Sequence, residues 1–158
     1  MTKIELITEI NAPIELCFDL SLNVELHQQS TSKTKEFVLE GRKKGIFEEG
    51  EVVTWRAKHF GIWQNLTGKI VKVESPNYFI DEMLKGAFKS LKHLHTFEYK
   101  DGVTIMKDVL EYETPYGIFG KMFDKLILTN YMKNFLKERN SFLKKAAESE
   151  LHKKFIVK

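Results

Sequence analysis

Asp101-Gly102 constrains this chain more than any other pair of residues. A two-residue primed hairpin turn needs positive φ at both central positions, and Asp-Gly supplies it at little steric cost. The flanking runs "LKHLHTFEYK" (91–100) and "VTIMKDVLEY" (103–112) alternate apolar and polar residues, as half-buried strands do. Pairing Lys100 with Val103 sets Phe97 opposite Met106, His95 opposite Asp108 and His93 opposite Leu110. On the other face Thr96 meets Lys107 and Lys92 meets Glu111, a charged set that belongs in water. His93, His95, Phe97, Met106, Asp108, Leu110 and Tyr112 are therefore expected to point inward.

A second hairpin follows from "HFGI" (59–62). With Phe60-Gly61 as the turn, Trp55 faces Leu66, Ala57 faces Gln64 and His59 faces Ile62. The face carrying Val53, Trp55, Ala57, His59, Ile62, Gln64 and Leu66 is the inner one. "YFIDEML" (78–84) is a further strand, in which Phe79, Asp81 and Met83 share one face. A two-residue turn at Lys85-Gly86 would instead send Ile80 and Glu82 to the histidine side; a bulge near Gly86 restores Asp81 to it.

Upstream, "KIELITEI" (3–10) alternates as a half-buried strand. Two short helices come next: "NAPIELCFDL", with Pro13 in its first turn, and "NVELHQQ" (23–29), capped by Asn23. "TKEFVLEG", from residue 34, starts the remaining strands. After "ETPYGIFG" the period changes to that of a helix, with apolar residues from Phe119 to Ala146 marking one amphipathic helix of about 28 residues. Its aromatic stripe reads mainly as core, with Met122, Phe123 and Ile127 near its start as cavity lining. The class is α+β: a curved antiparallel sheet of about seven strands, with the helices gathered on one face.

Composition narrows the function. The 158 residues are expected to form one domain spanning 1–158, with a composition (42% hydrophobic, 30% charged) that suits a soluble globular protein. The 25 basic and 22 acidic residues are interspersed, and the two basic stretches, "GRKK" (41–44) and "HKKFIVK", read as solvated loop and tail. No nucleic-acid surface is expected. No run approaches the roughly 18 apolar residues of a membrane span, so no integral membrane association is expected. The opening residues include acids where a secretory signal needs an apolar run, and Cys17 is a lone cysteine on an apolar helix face. Burial of Cys17 as a small hydrophobe and a cytoplasmic location are the expectations.

The segments "INAPIELCFDL", "GEVVTWRAKHFGIWQNLTGKI", "FIDEMLKGAFKSLKHLHTFE", "MKDVLEYETPYGIFG" and "LKERNSFLKKAAE" resemble the START-like (SRPBCC) superfamily. Its members include Bet v 1-like proteins and polyketide cyclases, and the likeness is greatest to small bacterial cyclase- or dehydrase-like members. The resemblance implies a helix-grip fold, in which a curved sheet wraps a long C-terminal helix around a hydrophobic cavity. It implies a small apolar ligand (a lipid, isoprenoid or polycyclic aromatic) and neither a cofactor nor a metal. Gly41, Gly45 and Gly50 are spread through a charged loop, unlike the closely spaced glycines of some members. A Rieske-type cysteine and histidine set is also missing, so an oxygenase role is not expected.

The inward polar residues leave several readings open. His95 and Asp108 form a mutually satisfied structural pair, or meet the polar end of a ligand, or act as an acid–base pair in a cyclase or dehydratase. His93 and His95 with a facing carboxylate would be a start toward a metal site, but the sequence has no dense Cys/His cluster to complete one. Trp55, His59, Gln64, Leu66, Asp81, Met83, Phe88 and the inward hairpin residues are the expected lining. The "TPYGIFG" loop, with Gly117 and Gly120, is a candidate mouth, and an outer sheet face with Trp63 is the alternative of a partner-binding module.

Overall fold

A computed structural model describes residues 1–156. Strand β1 (Thr2–Ile10) is followed by helices α1 (Ile14–Ser21) and α2 (Val24–Ser30) and a short 3₁₀ turn (Ser32–Thr34). Strands β2 (Phe37–Glu40), β3 (Val52–His59), β4 (Ile62–Glu74), β5 (Tyr78–Lys85), β6 (Ser90–Lys100) and β7 (Val103–Glu113) come next. The chain closes with helices α3 (Gly117–Phe123) and α4 (Thr129–Ala147), joined through a π-helical segment (Asp124–Leu128), and a final 3₁₀ turn (Glu150–Lys154). All seven strands form one antiparallel sheet in the order β1-β7-β6-β5-β4-β3-β2.

Both hairpins have the expected register. Lys100 pairs with Val103, His95 with Asp108 and His93 with Leu110; Trp55 pairs with Leu66 and His59 with Ile62. Phe60, Gly61, Asp101 and Gly102 all have positive φ, the requirement that selected these turns. Asn23 caps α2 by accepting from the Leu26 N–H at 2.8 Å. Asp81 faces His93 with no bulge or two-residue turn between β5 and β6, because residues 86–89 form a longer loop.

Helices and sheet meet over a core that includes Ile10, Phe18, Leu20, Phe79, Phe97, Met106 and Leu143. Phe18 packs edge-on against Phe79 and Phe97, anchoring α1 to the centre of the sheet. Cys17 is fully buried, and burial pushes its thiol up to about 11, the behaviour of an inert core residue. The stretch "HKKFIVK" is not simply a solvated tail: Phe155 is buried and packs edge-on to Phe142, while residues 157–158 lie outside the described residues.

The long helix departs most from expectation. Its buried positions are Gly120, Asp124, Leu128, Leu136, Arg139, Asn140, Leu143, Ala146 and Ala147, with the π segment adjusting the face between α3 and α4. Phe119, Met122, Phe123, Leu126 and Ile127 therefore point to solvent, and the expected cavity lining by Met122, Phe123 and Ile127 is corrected. Two anchors account for the rotation. Asp124 accepts hydrogen bonds from the Tyr112 hydroxyl (2.5 Å) and Thr129 (2.9 Å), and also from Thr2. Gly120 packs so tightly that a Cβ would sit 1.8 Å from the Pro115 carbonyl oxygen, so it is a packing glycine and not a hinge.

Candidate functional site

Strands β5, β6 and β7 bring Asp81, His93, His95 and Asp108 together on the concave face. The hydrogen bonds run diagonally between neighbouring strands. Asp81 stands opposite His93 but accepts from His95 Nε2 at 2.8 Å; Asp108 stands opposite His95 but accepts from His93 Nε2 at 2.8 Å. His95 Nδ1 lies 3.2 Å from Asp108 Oδ1, an ion-pair distance without the alignment of a hydrogen bond. The two imidazoles stack with centroids 3.7 Å apart, and Phe79 stacks on the other side of His95 at 4.0 Å. The column holds both rings in fixed orientations.

Helix α4 completes the cluster. Asn140 Nδ2 donates to Asp108 Oδ2 at 2.6 Å and reaches Thr8 on β1 at 3.3 Å. Arg139 is 4% exposed, and its contacts are long: 3.3 Å to Asn140 Oδ1, 3.5 Å to the Ser21 carbonyl and 3.6 Å to Asp108. Asp108 is already surrounded by His93, His95 and Asn140, so the guanidinium adds charge where the carboxylate is well supplied with donors.

These surroundings set the protonation states. Burial alone would raise the Asp108 carboxyl, but the hydrogen bond from His93 and the close approach of the His95 ring, with the charge of both imidazoles, hold it well below the ordinary range. Asp81 is lowered against its burial in the same way, chiefly by His95. Burial pushes His95 down, yet Asp108 and Asp81 together carry it above its ordinary value. His93 goes the other way: burial and the neighbouring His95 charge outweigh its bond to Asp108. The two stacked imidazoles are thus shifted in opposite directions, His95 toward its charged form and His93 toward its neutral one.

Beside the cluster is a partly open cavity of about 130 Å³ between the sheet, α2 and α4. Trp55, Leu66, Asp81, Met83, His93 and His95 line it, together with Val53, Phe79, Leu136 and Arg139. The other residues expected in the lining lie elsewhere. Asp108 is completely buried, and Phe97, Met106 and Leu110 are core. Tyr112 is committed to Asp124 and packs against Phe88 in a second apolar cluster around Ile4 and Leu128. His59 bonds the Tyr131 hydroxyl at the β3 end, with Gln64 near its carbonyl.

Arg139 and Asn140 are the site residues that sequence reasoning missed. Their signal is present: with Leu136 and Leu143 they occupy i, i+3, i+4 and i+7, so two polar residues fall on the buried stripe of α4. As for metals, one donor atom each from Asp81, His93 and His95 lies within 4.8 Å of the others. The Nε2 of His95 and Oδ2 of Asp81 are bonded to each other, so ligation through those two atoms would first have to break that bond.

No family model matches the sequence, and no curated protein does. Solved structures do. TTHA0849 from Thermus thermophilus superposes with a TM-score of 0.73 at 18% identity, covering 92% of this chain and 99% of that one. A START superfamily protein from Mycobacterium smegmatis gives 0.69 at 14% identity, covering 92% and 97%. This chain has the START-like fold. Major latex-like protein 151 from Panax ginseng has a TM-score of 0.67 at 15% identity, covering 94% and 98%. At these identities the START-like likeness concerns the fold, and function has to be argued from the cavity. Among the described residues no helix is long and apolar enough to cross a membrane.

Proposed function

We propose that this START-like chain binds a small molecule with an apolar body and one polar end in the cavity between sheet and α4. The observation that carries this reading is the lining: Trp55, Leu66, Phe79 and Met83 form an apolar wall, while Asp81, His93, His95 and Arg139 converge at one place. Ligand sites characteristically combine a mostly apolar surface with a few fixed polar groups.

Volume selects within the broad class of lipids, isoprenoids and polycyclic aromatics. A dry cavity of about 150 Å³ holds benzene, whereas drug-sized ligands need about 300–1,000 Å³. At about 130 Å³ the cavity suits a single ring or a short branched chain. A polycyclic guest would require α4 to move outward, since Phe135, Leu136 and Arg139 bound the cavity on that side.

An acid–base role for His95 and Asp108 draws less support from the geometry. Both ring nitrogens of His95 face carboxylates, and Asp108 is fully buried and not among the residues lining the cavity. Native mass spectrometry and solvent extraction of purified protein test the binding reading. Recovery of a small amphipathic molecule at near-stoichiometric level supports it; protein that carries none and admits no single-ring probe contradicts it.

A further inference from the structure

The π segment and α3 carry a group of apolar side chains exposed among the described residues. Ile118, Phe119, Met122, Leu126 and Ile127 are exposed, Phe119 by 77% and Leu126 by 71%. Phe60, at the tip of the β3–β4 hairpin, extends the surface through an edge contact with Phe123 at 5.7 Å. Single exposed apolar residues are ordinary on a soluble domain, but a contiguous group of this kind marks a surface that meets something apolar.

We propose that this face docks on an anionic lipid bilayer, with the side chains of α3 and the π segment entering the interfacial region. Charge distribution identifies the occupant. Lys121 and Lys125 are exposed within the apolar stretch, and Lys133 and Lys137 follow on α4. Between residues 114 and 137 the only carboxylate is Asp124, which is buried and bound to Tyr112 and Thr129. Just before this stretch, Glu113 is paired with Lys89 at 3.0 Å. A second copy is a poorer partner, because a two-fold interface would bring this lysine-rich face against itself, and the acids at its two ends are already paired, Glu113 with Lys89 and Glu138 with Lys33 at 2.7 Å. A negatively charged headgroup layer attracts the lysines while the acyl boundary receives the apolar side chains. The protein would lie on the membrane without spanning it.

Vesicle flotation tests the proposal with the full chain. It should float with vesicles of phosphatidylcholine mixed with phosphatidylglycerol, bind pure phosphatidylcholine much less, and be released by high salt. Replacing Lys121 or Lys125 by Gln should weaken binding about fivefold each. Combining Phe119→Ser with Leu126→Ser should reduce it by about tenfold or more, with an unchanged thermal midpoint showing that the variant is folded. Failure of the folded wild-type chain to bind anionic vesicles would overturn the proposal. So would sedimentation as a dimer that the two serines dissociate.

Discussion

Asn140 on α4 donates to Asp108 on β7 at 2.6 Å, tying the long helix to the middle of the sheet through a fully buried carboxylate. Asp108 is thus the junction of the site: it orders both imidazoles and fixes the helix that closes the cavity. Asp108→Ala would leave buried Arg139 and His95 without their common counter-charge, and a loss of about 3–5 kcal/mol is expected. Asn140→Ala should cost less, about 1–3 kcal/mol. Chemical denaturation of the two variants checks the order; equal and small losses would contradict the junction.

The two histidines should titrate on opposite sides of the ordinary value of 6.5, His95 above it and His93 below. The stabilisation from charging His95 is full below 6.5 and is lost as pH rises through its raised value. His93 opposes it, since stability falls as pH drops from 6.5 toward its lowered value. The contribution of Asp108 is present above the ordinary carboxylate value of 3.8 and is lost as pH falls through its depressed one. An NMR titration of the imidazoles checks the signs, and a midpoint for His95 at or below 6.5 would contradict them.

Gly120→Ala is expected to be disruptive although Ala favours helices. Its Cβ would meet the Pro115 carbonyl oxygen, a backbone atom, at 1.8 Å. Forcing α3 away from that turn should destabilise by about 1–3 kcal/mol or more and disturb the Tyr112–Asp124 bond. Thermal unfolding measures the first effect. An unchanged midpoint would show that α3 can shift freely.

Leu126→Ala distinguishes the two possible faces of the helix. As a core residue Leu126 would lose about 2–5 kcal/mol on truncation. On the solvent side, where it is exposed, the change should stay within about 0.5 kcal/mol, as denaturant unfolding would show.

The sheet is legible in the sequence because its two hairpin turns carry backbone requirements that few residue pairs meet. Phe60-Gly61 and Asp101-Gly102 fix register, and register fixes which side chains face inward. That is enough to bring His93, His95, Trp55 and Leu66 to the concave face, whereas Asp81 and Met83 on β5 depend on the longer loop at residues 86–89, which the turn residues do not specify. Their hydrogen-bond partners are not legible, because diagonal reach depends on side-chain rotamers and not on ladder position. Register sets His95 against Asp108, but its hydrogen bond is to Asp81. The helix face escapes for a different reason. Hydrophobic periodicity assumes that the apolar stripe is the buried one, whereas Asp124 and Gly120 turn the beginning of the helix by a hydrogen-bonded anchor and a close approach. The same assumption conceals Arg139 and Asn140 inside the apolar stripe of α4.

The cavity beside His95 is expected to hold a small guest. Trp55 lines that cavity and Trp63 does not, so a Trp63→Phe protein reports on it by fluorescence. Titration with a single-ring phenol should give a saturable change in Trp55 emission, and Met83→Phe, which fills the cavity, should abolish it. A linear response that is the same in both proteins would contradict the claim.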